Sequence, residues 1–117
     1  MNFKNALWSD KKRSIFGLPL TFTRYSLFED KLIIDTGCFT KTQDEVRLYR
    51  ILDITLKKTL GQRIFGLGSI YIESSDKSMG DFVIKNIKNS EIVKDQISDL
   101  VEQVRQINNI APKEFMD

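Results

Sequence analysis

The 117-residue chain carries 18 Lys and Arg against 16 Asp and Glu, a net charge of +2, too even a balance for bulk charge to draw it to nucleic acid or to a membrane. It contains no histidine, which removes the usual neutral-pH general base, the commonest zinc ligand and every Ser-His or Cys-His nucleophile pair. One cysteine, Cys38, excludes an internal disulfide. This length is a single domain burying about two-thirds of its unfolded surface, enough for a core without staples. No run of 18 apolar residues occurs and the first nine residues lack a signal-peptide pattern, so a soluble, cytoplasmic protein is expected.

Residues 1–19 read as an N-terminal arm that packs a few large apolar side chains onto the domain or onto a neighbouring subunit. Leu7 and Trp8 precede the basic cluster Lys11, Lys12, Arg13, and Ile15 and Phe16 follow it; Pro19 bars a regular helix. From Leu20 to Ile87 the pattern is β. Thr21–Leu27 and Lys31–Thr36 alternate with period two and are joined through Phe28, Glu29 and Asp30, predicting a hairpin that Gly37 ends. Cys38, just beyond, reads as a small apolar filler. Along Glu45–Arg50, Val46 and Leu48 share one face. The phase then slips, so that Leu52, Ile54 and Leu56 form the next apolar face, and a bend or bulge is predicted near Arg50–Ile51.

The segment Leu60–Gly68 holds Gly61, Gly66 and Gly68 and is expected to be a structured loop using positive φ and close backbone approach. Strands follow at Ser69–Ser75 and Asp81–Ile87, with Asp76–Gly80 as the turn between them. Val93, Ile97, Leu100, Val101, Val104 and Ile107 then recur at three- and four-residue steps, the stripe of an amphipathic helix over 90–107. Asn89 or Ser90 would cap it, Glu91 suits its first turn, and Asn108, Asn109 and Pro112 would stop it, leaving 108–117 as a tail.

Tyr25-Ser26-Leu27, Asp30, Leu32, Ile34 and Thr36-Gly37, then Glu45, Leu48-Tyr49-Arg50-Ile51, Asp53-Ile54 and Gln62-Arg63 with Gly66 and Gly68, resemble in order and spacing the bacterial pleckstrin-homology-like (PH-like) family. The closing Ser74-Ser75-Asp76 and Ile87-Lys88-Asn89 extend the resemblance, which covers residues 20–107. It implies a mainly β (α+β) fold: a PH-like antiparallel barrel or sandwich of about six to seven strands capped by one C-terminal helix. Several soluble members form symmetric oligomers, so the resemblance also implies a capacity to self-associate, but it supplies architecture more than function. Phosphoinositide-binding PH domains carry cations around the first hairpin loop. Here that turn reads Phe28-Glu29-Asp30-Lys31 and would repel phosphate, so inositol-lipid binding does not transfer.

Five residues are candidate ligand or partner contacts: Arg47, Tyr49 and Arg50, and Gln62 with Arg63 on the glycine-rich segment flanked by Lys57 and Lys58. Arginines beside a tyrosine can hold a carboxylate, a phosphate or a protein partner. A solvated strand face with ion pairs to Asp53 or Glu73 is the simpler reading. Likewise, the glycine-rich segment lacks the ending of a phosphate-binding loop and reads first as a turn. Leu7, Trp8, Ile15 and Phe16, with Phe115, are candidates for burial between subunits. The adjacent carboxylates Glu29-Asp30 and Asp44-Glu45 would point to opposite strand faces and make no acid/base pair. No catalytic residue, metal or cofactor is therefore expected. The expected function is a non-catalytic binding and assembly module, a homo-oligomer or the partner of another protein. The alternative is peripheral binding to an anionic membrane surface through Lys11, Lys12, Arg13, Lys57, Lys58 and Arg63; no nucleic-acid partner is expected.

Overall fold

A computed structural model describes residues 6–13 and 22–116, with 108–116 described as backbone only. Two antiparallel sheets hold the described strands. The first has the order β1 (Trp8–Lys11), β2 (Arg24–Leu27), β3 (Lys31–Thr36), β4 (Thr42–Arg47); the second has the order β5 (Ile51–Lys57), β6 (Leu67–Ser74), β7 (Phe82–Lys88). A short helix α1 (Leu60–Ile64) links β5 to β6, and a long helix α2 (Ser90–Met116) follows β7.

The β2–β3 hairpin closes as expected, with Phe28 N–H donating to the Lys31 carbonyl at 2.9 Å. The predicted bend is a 3-10 turn, Leu48–Arg50, that carries the chain from one sheet to the other. The phase slip is completed one residue later than its expected position. Leu52 is an extra residue between the Ile51–Ser74 and Asp53–Glu73 pairs, so Ile51 takes the core position and Leu52 stays 54% exposed. Ile54 and Leu56 are only half-buried.

A second bulge lies in β7. Gly68 pairs with Ile87 and Ile70 with Ile84, so two β7 residues face the single Ser69. One of them is Asn86, at φ 56°. The extra residue puts Ile84 and Ile87, three apart, on the same buried face, which strict alternation would forbid.

The two sheets enclose one core. Leu27, Leu32, Val46, Leu48, Ile51, Ile70, Ile84 and Ile87 are fully buried there, and Val93, Ile97 and Val101 of α2 close over them. The helix stripe is thus the one read from periodicity, and Leu100 and Val104 pack at its margin. Each such aliphatic side chain contributes about 1.5–3 kcal/mol of burial. Tyr25 ties the layers together by a polar contact as well. From β2 its hydroxyl donates to the Val83 carbonyl (3.4 Å) and accepts from Lys85 N–H (3.1 Å), both on β7.

One expectation is extended and two need correction. The described part of the arm packs onto the domain and also extends its sheet, because β1 pairs with β2 from Trp8–Leu27 to Lys11–Arg24 and Trp8 packs against the core. Its alternation is short, which hid a four-residue edge strand. Helix α2 does not stop at 107 but continues through Pro112 to Met116. Proline removes one backbone donor, and a helix already propagating over many residues can carry that loss. Cys38 is exposed in the β3–β4 connection rather than filling the core. Ile15 and Phe16 lie outside the described residues, as does the Phe115 side chain. Among the described residues no helix is long and apolar enough to cross a membrane.

A candidate binding corner at α1

The segment read as a loop contains α1, and its start is a capping box. Thr59 Oγ1 accepts from Gln62 N–H at 3.2 Å while Gln62 Oε1 accepts from Thr59 N–H at 2.9 Å. The same amide reaches into the protein. Gln62 Nε2 donates to Ser69 Oγ and to Asn86 Oδ1, both at 2.7 Å, and the residue is only 5% exposed. Asn86 Nδ2 in turn donates to the Arg13 carbonyl at 2.7 Å. A buried polar chain therefore runs from α1 through the β7 bulge to the segment after β1. Gln62, expected as a ligand contact, is spent internally.

Side chains two apart on a helix point to opposite sides, and those four apart share one. With Gln62 turned inward, Leu60 and Ile64 face out, at 73% and 72% exposure, and Phe65 beside them is 58% exposed. The helix is inside out about Gln62: that amide is buried, while Leu60 and Ile64 are in water alongside Arg63. Gly66 takes φ 69° to end it, and Gly68 lets α2 approach, since a Cβ there would stand 2.2 Å from Ser90 Oγ. The glycine expectation is met at both positions. Gly61 is simply helical.

Cations surround this corner. Lys57 lies over the Tyr71 ring at 4.7 Å, while Arg63 and Lys88 are exposed and make no ion pair among the described residues. Lys58 bonds Glu91 at 2.5 Å, a contact that holds the Glu91 carboxyl below its ordinary pKa. An open cleft of about 490 Å³ runs between α1 and the start of α2, lined by Lys58, Arg63, Leu67, Asn89, Glu91 and Ile92. Ile92 is 68% exposed there.

The other candidates lie elsewhere. Arg47 pairs with Asp30 (3.2 Å) and Glu45 (3.1 Å), rather than with Asp53 or Glu73, in an exposed cluster on the first sheet. Arg50 stacks over the Tyr49 ring at 5.2 Å, and Tyr49 is 46% exposed. These three sit before β5 and α1 follows it. Seven residues at about 3.3 Å each place the two groups roughly 20 Å apart, so they form no common site. In the basic cluster, Arg13 is held by Asp10 in a bidentate pair at 2.7 and 2.8 Å, while Lys11 is exposed. Leu7 is 46% exposed. Sequence reading missed Leu60, Ile64 and Phe65, although Thr59-x-x-Gln62 carried the capping-box signal that would have marked α1.

Four- and three-stranded antiparallel sheets packed face to face, with one C-terminal helix over the core, define a PH-like sandwich. The family model for the bacterial PH domain matches residues 17–106. The chain belongs to that family. A search of the curated proteins finds no match.

Proposed function

We propose that this protein is a non-catalytic binding module whose contact surface is the α1 corner. The observation that carries this reading is the inverted burial of α1. Burying a glutamine while wetting a leucine, an isoleucine and a phenylalanine opposes the hydrophobic effect unless a partner covers the apolar side. The fully bonded Gln62 amide holds that side outward. The test compares the material, protein and lipid, that the wild-type chain and its Ile64→Asp variant retain from an extract of the source cell. Loss of retained material with Ile64→Asp supports the reading; identical profiles refute it.

Self-association is a second reading, favoured by a different patch. Tyr49 and Leu52 stand exposed at the sheet-to-sheet turn and the β5 bulge. Leu7 adds a further exposed apolar side chain, whereas Trp8 is engaged in its own core. Light scattering across micromolar concentrations tests it, and a strict monomer throughout removes it.

A further inference from the structure

We infer that the partner of the α1 corner is an anionic lipid bilayer, entered by Leu60, Ile64 and Phe65 and held by the cations around them. The inference rests on the binding reading above and names its partner. Size decides first. Three side chains of roughly 200 Å² each, exposed as observed, offer on the order of 400 Å². A standard protein interface needs about 800 Å² per partner. The patch is half that, but a short apolar ridge suits the boundary between headgroups and acyl chains, where bulk electrostatics supplies the remaining attraction.

Charge complementarity points the same way. Arg63 stands within α1 beside Ile64, Lys57 ends β5 two residues before the capping Thr59, and Lys88 pairs with Leu67, the third residue after Ile64. Glu91, which lines the cleft, is paired with Lys58, and Asp10, which accepts from Lys88 N–H, is paired with Arg13. The corner is thus a cationic rim around an apolar tip, although the whole chain is nearly neutral. Lysine and arginine stems can lie along the ridge with their charges at headgroup level. The acidic first hairpin, Glu29-Asp30, has no such tip, and Arg47 is occupied by Asp30 and Glu45. An isolated chain would bind weakly and reversibly, since so small an apolar area cannot anchor irreversibly.

The experiment is co-sedimentation of the full chain with phosphatidylcholine vesicles, with and without a minor fraction of phosphatidylglycerol, at low and high salt. Binding should need the anionic lipid and fall with salt. Arg63→Gln and Lys88→Gln should each weaken it about fivefold, and Ile64→Asp by at least tenfold. Leu60→Trp should be quenched by brominated lipid, whereas Leu52→Trp should not; this pair keeps the test decisive should Ile64→Asp fold poorly. No sedimentation of wild-type chain on anionic vesicles at low salt overturns the inference, as does equal binding to neutral vesicles. The extract comparison separates the two levels. If vesicles fail but Ile64→Asp still loses protein retained from the extract, the corner binds protein and only the lipid assignment falls. If Ile64→Asp changes neither, both readings fall.

Discussion

Replacing Gln62 with alanine tests the central structural claim, that one buried amide holds α1 inside out. The substitution removes three side-chain hydrogen bonds, to Ser69 Oγ, to Asn86 Oδ1 and to Thr59 N–H, the last being half of the capping box. Ser69 Oγ keeps Asn86 N–H as a donor at 3.3 Å. Asn86 Oδ1 is left buried without that donor, a loss of about 1–3 kcal/mol. The lost cap bond adds about 0.5–1 kcal/mol, and the emptied space adds a little more. A total near 3 kcal/mol follows. For this chain length an unfolding entropy of about 0.25 kcal/mol/K converts it to a drop in melting midpoint of about 12 °C. Calorimetry on wild type, Gln62→Ala and Arg63→Ala is the assay. Arg63 is the exposed neighbour, and its loss should move the midpoint by no more than about 2 °C. A Gln62→Ala midpoint within that same margin would refute the network as the anchor of α1.

Gly68→Ala should destabilise by about 1–3 kcal/mol, because the new Cβ would meet Ser90 Oγ at 2.2 Å; adding Ser90→Gly should recover much of the loss in a denaturant titration. Tyr25→Phe removes the hydroxyl that joins β2 to β7 and should cost about 1 kcal/mol, read as a shift in denaturation midpoint with unchanged slope. Burial opposes ionisation of Asp10, but the Arg13 guanidinium and the N–H groups of Lys11 and Lys88 outweigh it, so its carboxyl titrates below the ordinary aspartate value of 3.8. A depressed carboxylate stabilises the fold above its unfolded pKa, and that contribution is lost as pH falls through the folded value. Acid titration should therefore loosen the β1–β7 corner below about pH 4, seen in the Lys88 amide resonance, and Asp10→Asn should remove the transition.

The architecture was legible where burial obeys simple periods. Val93, Ile97 and Val101 announced a helix face, and Val46 with Leu48 a strand face, because each element buries one side. Reading failed where an extra residue or a polar core group breaks the period. Leu52 alternates correctly with Ile54 and Leu56 in sequence, yet the bulge gives its place to Ile51. Nothing in Ile84-Lys85-Asn86-Ile87 reveals that Asn86 takes positive φ and turns inward. Around α1, three glycines outweighed the capping residues, and Gln62 passed for a surface group. Its partners Ser69 and Asn86 are 7 and 24 residues away, a distance no local pattern spans.

The inverted helix has a consequence for tinkering with this protein. The hydrogen bonds that hold α1 run through Thr59 and Gln62 to Ser69 and the bulge on β7, and its outward side chains take no part in them. Residues 60, 64 and 65 are thus the positions of this corner most open to substitution, which makes it a mount for grafting a new recognition sequence or a reporter.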